Sequence, residues 1–209
     1  MDKQVFIFDF DGTVADTMPS IFKVVNDLAR EYEFPEVSKA HFQKLRTKSP
    51  TQIVKELGIP MLKIPFAINR GRELLGSYMK DIEFIPGMRE LLLDLDEYGK
   101  TIGMLTSNSR ANIDIFFAKH NLDVFDFIYT EHNLFGKQFS LVKMLKQEGV
   151  DKSAAVYVGD EVRDIEACRI VDLDIVSVSW GFSAKEALQK EAPTYLVESP
   201  AEFRKLFLS

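Results

Sequence analysis

Short apolar runs recur along the chain, each closed by a polar or glycine-bearing turn, and helix-like stretches separate them. Residues 4–8 form the first run, which finishes in Asp9, and the first turn signal is Asp11-Gly12. So short a run cannot support a helix and suits a strand buried on both faces. Comparable runs occupy residues 102–105, 127–129, 154–158, 175–178 and 195–197. Between them, apolar residues at helical spacing predict helices over 90–98, 113–120, 140–148, 165–171 and 200–206, with Gly99 and Gly149 as stops and Ser109 as a cap. Strands alternating with helices from Pro86 onward imply a parallel sheet with helices on both faces.

The pattern changes between residues 16 and 85, where only helix patterns are found: 20–31, 38–45, 49–57 and 64–79. Ser49-Pro50 makes a good helix start and Gly58 a good stop. This interval reads as an all-helical insertion, with Asp16-Thr17 and residues 84–86 as its two hinges.

Composition narrows the class. The 209 residues can form one sizeable domain, or a core carrying a smaller inserted one. Seventeen Phe point to an aromatic core, and a net charge of -6 argues against general affinity for nucleic acid or an anionic membrane. A single cysteine, Cys168, rules out an intramolecular disulfide and a cysteine-rich metal site. No basic leader or membrane-length run is seen, so the expectation is a soluble, cytoplasmic protein.

Candidate chemistry sits at the strand ends. Asp9 and Asp11 follow a buried strand, and alternation places them on one side with Phe10 turned away. Two adjacent carboxylates repel unless one is protonated or a cation intervenes. Such a pair suits phosphoryl transfer, but Asp-Gly is also a common turn dipeptide. Thr106-Ser107-Asn108 offers a hydroxyl and N–H groups to phosphate oxygens, or simply caps a helix. Lys137 could offset negative charge or lie on the surface. Gly159-Asp160, with Asp164 four residues on, suits a hard oxygen-loving ion such as Mg²⁺, or an acidic helix start.

Taken in order, Asp9-Phe10-Asp11-Gly12-Thr13, Thr106-Ser107-Asn108, Lys137 and Gly159-Asp160 through Asp164 resemble the haloacid dehalogenase superfamily of phosphohydrolases, over nearly the whole chain. The helical insertion looks like the small helical cap of phosphoglycolate phosphatase-like members. The resemblance implies an α/β fold. A Rossmann-like parallel sheet core (1–15 and 86–209) would have helices on both faces and carry an inserted all-helical cap domain (16–85). By resemblance, Asp9 would attack phosphorus and form an aspartyl-phosphate, and Asp11 would act as general acid and base. Thr13, Thr106, Ser107 and Lys137 would hold substrate phosphate, Lys137 serving the chemistry as well. Asp9, Asp11 (through its carbonyl), Asp160 and Asp164 would bind Mg²⁺. Gln138 stands where the family often has Pro, and Val171-Asp172 where Ala-Gly is common.

The implied activity is Mg²⁺-dependent hydrolysis of a small phosphorylated metabolite, such as phosphoglycolate, a sugar phosphate or a nucleotide, by a monomer or homodimer without nucleic-acid or membrane partners. A phosphosugar mutase and a non-enzymatic binding protein of the same fold are the alternatives, the second opposed by the presence of both Asp9 and Asp11. Arg46 and Lys48 are candidates for a substrate carboxylate or second phosphate, or are solvated loop residues. Trp180-Gly181-Phe182 suits either a site rim or local packing, and His41, His120 and His132 are too scattered to form a cluster.

Overall fold

The structure, a computed structural model, describes residues 3–48, 50–131 and 136–208. The first strand, β1 (Val5–Phe8), leads into four helices: α1 (Met18–Tyr32), α2 (Lys39–Leu45), α3 (Pro50–Glu56) and α4 (Ile64–Tyr78). Then follow α5 (Met88–Glu97), β2 (Thr101–Thr106), α6 (Arg110–His120), β3 (Phe127–Thr130), α7 (Lys137–Gln147) and β4 (Ala155–Gly159). The chain closes with α8 (Val162–Val171), β5 (Ile175–Val178), α9 (Lys185–Lys190), β6 (Tyr195–Val197) and α10 (Pro200–Phe207).

The strands form one parallel sheet in the order β3-β2-β1-β4-β5-β6. Strand order reverses between β1 and β4, which opens a crevice at their carboxyl ends where ligands of such sheets bind. Alternation along β1 sends Phe6 and Phe8 into one apolar layer and Ile7 into the other. Phe6 packs on Phe203 and Phe207 of α10, with ring centroids 5.7 and 5.3 Å apart. Ile7 lies with Leu141 and Met144 of α7 and Ile165 and Cys168 of α8. Phe10 continues into the first layer, edge-on to Phe116 at 5.0 Å, so it turns away from the crevice as alternation requires.

Helices α1, α2 and α3 and their connecting loops share a further apolar cluster around Ala29, Phe34, Phe42, Leu45 and Leu57, while α4 packs through Leu75 into the layer of Phe6 and Phe8. The two chain crossings into this helical layer brace each other: Ile85 N donates to Val14 O at 2.9 Å, and Asp16 N to Glu83 O at 2.9 Å. Buried Asn26 fixes the turn after α1 by bonding both backbone groups of Val37, at 2.7 and 3.1 Å.

Some expectations needed adjustment. Helix α7 begins at Lys137 rather than at residue 140, and α8 at Val162 rather than 165, so Lys137 and Asp164 both lie in first turns. Helix α9 was not anticipated, because its six residues carry only Ala187 and Leu188 as apolar positions. Ser49, His132 and Phe135 lie outside the described residues. His41 bonds Glu56 at 2.7 Å and His120 packs on Phe84 at 4.7 Å, so neither joins the crevice. Among the described residues, no helix is long and apolar enough to cross a membrane.

Candidate active site

Asp9 emerges from β1 and Asp160 follows β4, one on each side of the switch point. Asp164 reaches the same place from the first turn of α8, and Lys137 from the first turn of α7. All four side chains are buried. Lys137 Nζ donates to Asp9 Oδ2 at 2.7 Å, to Asp164 Oδ1 at 2.5 Å and to the Tyr157 hydroxyl at 2.9 Å. Tyr157 in turn donates to Leu105 O at 3.0 Å, which aims its acceptor side at the ammonium. Burial works to lower the Lys137 pKa, but Asp164 and Asp9 outweigh it and hold the ammonium charged.

One carboxylate oxygen each from Asp9, Asp160 and Asp164 lie within 4.8 Å of one another. Burial, with Glu161 and Asp9 nearby, raises the Asp160 pKa well above the usual carboxylate range. Burial also lifts Asp164 to about 6, against the pull of Lys137. Three buried carboxylates around one lysine leave negative charge to be balanced, and an oxygen-only donor set of this kind fits a hard divalent cation. The fit extends to the surrounding backbone. A Cβ at Gly181 would lie 2.2 Å from the Asp160 Cβ, and one at Gly12, whose φ is +72°, would lie 2.5 Å from Asp160 Oδ2. Asp160 is thus packed between two positions that only glycine can fill, and Phe182 N donates to its Oδ2 at 2.6 Å.

Asp11 is held apart from this cluster. Its carboxylate accepts both contacts of the Asn108 amide, at 3.1 and 3.0 Å, while Asn108 Oδ1 accepts from Ser109 N and Asn112 Nδ2 at 2.8 Å each. Asn108 therefore presents its NH₂ in one fixed direction. Burial first, then the Asp9 charge, pushes the Asp11 pKa up to about 7, a value suited to giving and taking a proton near neutrality.

Other expected residues take different places. Thr13, expected at substrate phosphate, is fully buried and donates to Asp160 Oδ1 at 2.8 Å. Thr106 is buried, with its hydroxyl oxygen accepting from Asn108 N at 3.1 Å. Ser107 faces the crevice, its carbonyl taken by Arg72 Nε at 2.7 Å and its hydroxyl by Arg163 at 3.4 Å. Trp180 Nε1 donates to Thr13 O at 3.1 Å and braces the first loop. Arg46 spans from α2 to the crevice wall, donating to Phe182 O and Gly181 O at 2.8 Å each. Lys48 is bonded to Glu56. Tyr157 and Asn108 as supports of Lys137 and Asp11 escaped the sequence reading. A tyrosine inside an apolar strand looks like core, and only the pairing of β4 beside β1 discloses its neighbours.

A cavity of ≈ 350 Å³ opens between this crevice and helices α1, α3 and α4. Asp11, Gly12, Ser107 and Asn108 line its polar end; Val24, Leu28, Leu57, Ile64, Ile68 and Leu75 are among those lining the rest.

Residues 6–178 match the haloacid dehalogenase-like hydrolase family. The chain belongs to that family. It is 32% identical over 200 residues to a phosphoglycolate phosphatase of Synechococcus elongatus, covering 95% of this chain and 94% of that one. A phosphoglycolate phosphatase of Xylella fastidiosa is 25% identical, covering 93% and 88% of the two chains. Among solved structures, a predicted phosphatase from Clostridium acetobutylicum superposes with a TM-score of 0.84 at 20% identity, covering 100% of this chain and 99% of that one. CbbY from Rhodobacter sphaeroides, solved in complex with phosphate, gives 0.77 at 18% identity, covering 96% of each. At those identities the structural likeness concerns the fold, and within this family the chain is a hydrolase.

Proposed function

We propose that this hydrolase cleaves small-molecule phosphate monoesters through an aspartyl-phosphate on Asp9. The observation that carries the reading is the Asp9 carboxylate itself. It is fixed by Lys137 at 2.7 Å and by its own neighbour's N–H at 2.7 Å, beside two further carboxylates and below a second acid, Asp11. A carboxylate anchored at one oxygen by Lys137 and at the other by Phe10 N is oriented for attack along a single line.

Asp9 attacks phosphorus, and Asp11, protonated near neutral pH, gives its proton to the leaving oxygen. In the second step Asp11 takes a proton from water, and the acyl phosphate is hydrolysed. Lys137 offsets charge on the transferring group, and the Ser107 loop meets its oxygens together with Thr106. Mg²⁺ would be held by Asp9, Asp160 and Asp164, with the Asp11 carbonyl; when bound it neutralises the carboxylates and draws phosphate oxygens toward Asp9. The helices α1–α4 (the inserted cap, residues 16–85) cover the crevice and exclude water from the first step.

Purified protein with Mg²⁺ is expected to release phosphate steadily from p-nitrophenyl phosphate, without a bisphosphate activator, and to stop on chelation. Absence of release, or full turnover by Asp9→Asn, would sink the reading. Interconversion of sugar monophosphates that needs a sugar bisphosphate activator and releases little phosphate would point to the mutase instead.

A further inference from the structure

The cavity next to Asp11 names a class of substrate. Resting on the phosphatase reading above, we infer that the preferred phosphate monoester carries an apolar leaving group, an alkyl or aryl chain, rather than a second charge as in phosphoglycolate. Asp11 gives its proton to the leaving oxygen, so the leaving group must lie on the Asp11 side of the phosphorus. That side opens into the ≈ 350 Å³ cavity. An engineered cavity of about 150 Å³ lined by aliphatic side chains and Phe takes up benzene. A volume more than twice that accepts a chain of several carbons.

Among the described residues, the cationic groups that line the cavity are Arg72 and Arg163, both at its polar end. The lining side chains of α1, α3 and α4 are aliphatic or methionine, except Arg72 at the polar end. Arg72 and Arg163 both turn to the Ser107 loop: Arg72 donates to the carbonyls of Ser107 and Glu131 at 2.7 and 3.2 Å, and Arg163 also bonds Glu161 at 2.5 Å. They line the polar end, beside Asp11, Ser107 and Asn108, rather than the aliphatic wall. The two basic residues named from sequence for a carboxylate do not line the cavity: Arg46 is bonded to Gly181 and Phe182, and Lys48 to Glu56. A carboxylate driven beyond the polar end would lose its hydration among aliphatic side chains.

The test is a homologous series of n-butyl, n-hexyl and n-octyl phosphate, kept below micelle formation, beside phosphoglycolate. The leaving alcohols have nearly the same acidity, so differences report contact with the cavity. We expect kcat/KM to rise about fourfold per methylene until the cavity is filled, with octyl phosphate ahead of phosphoglycolate. Ala67→Phe, which places a ring in the cavity, is expected to flatten the series. A series that is flat in the wild type, or phosphoglycolate turned over best, would overturn the inference while leaving the phosphatase reading standing. Binding of n-octylphosphonate and methylphosphonate by calorimetry keeps the test independent of turnover. If no ester is hydrolysed, the phosphatase reading fails. Tighter binding of the octyl compound then still supports the apolar ligand class, and equal binding overturns it.

Discussion

The two halves of the crevice are built on opposite principles. At the carboxyl ends of β1 and β4, Asp9, Lys137, Asp160 and Asp164 are buried with nearly every polar atom held by a named partner. Across the cavity, α1, α3 and α4 offer aliphatic side chains and space. The first half is expensive to build, since each buried charge must be offset by another, and it tolerates little displacement. The second half is held by apolar contact that many residues could provide. Under the proposed function the contrast separates labour: the sheet edge would fix what bond is broken, and the helices which molecule presents it. Substitutions in the first half should therefore change chemistry and stability together, and those on the seam should change substrate handling alone.

The most severe break is Asp9→Asn. It removes the proposed nucleophile, and turnover of p-nitrophenyl phosphate is expected to fall by at least about 10⁴-fold. A loss under tenfold would show that water attacks directly and that Asp9 only positions the phosphate.

Next in size is Lys137→Met, which leaves Asp9 and Asp164 buried beside each other without their shared cation. Breaking a buried ion pair in this way costs about 3–5 kcal/mol. Urea unfolding in chelator should register that loss, together with impaired turnover. A variant as stable as the wild type would show that the carboxylates already carry protons there.

Metal sharpens the comparison from the other side. The pKa values of Asp160 and Asp164 are raised in the folded chain, the latter to about 6, and that of Asp11 to about 7. A carboxylate raised by folding contributes stability that is complete below its unfolded value, near pH 4, and is lost as pH rises through its folded value. In chelator, this contribution fades between about pH 4 and pH 7. A divalent cation that binds the ionised forms restores it, by about 2.7 kcal/mol at a hundred times its dissociation constant. The melting-temperature gain on adding Mg²⁺ should therefore be larger at pH 8 than at pH 5. An equal gain at both, or none at either, would remove the case for a metal among Asp9, Asp160 and Asp164.

How much of this could be read in the sequence follows the same division. The strands were legible because runs such as Val156-Tyr157-Val158 are too short for a helix and end in chemistry-bearing loops. Asp9, Asp11, Lys137, Asp160 and Asp164 each had an ordinary structural reading singly, and their order at successive strand ends singled them out; the structure brings Asp9, Lys137, Asp160 and Asp164 together at the switch point. Thr13 was placed at phosphate, yet its hydroxyl serves Asp160, a distinction that spacing alone cannot draw. The support given by Tyr157 and Asn108 depends on which strands are neighbours, and a local pattern carries no such information. Least legible was the cavity. The same aliphatic stripe on a helix describes a filled core and an empty one, and only the packing of α1, α3 and α4 together reveals the space.

The smallest expected effect lies on the seam between the halves. Arg46 leaves α2 to donate to the carbonyls of Gly181 and Phe182, and the N–H of the same Phe182 donates to Asp160 Oδ2 at 2.6 Å. One loop thus receives the helical layer on one side and cradles a carboxylate of the cluster on the other. Arg46→Ala removes charge-assisted bonds, each worth about 1.5–3 kcal/mol at most when fully buried. Arg46 is only half-buried, so the effect should be under about tenfold, seen mainly in KM as the cover closes less often. Two measurements separate the possible routes. If the loop only latches the helices, the affinity for Mg²⁺ measured by thermal shift is unchanged while KM rises. A parallel loss of Mg²⁺ affinity would mean that the latch also holds Asp160 in place, and that the two halves are less independent than their construction suggests.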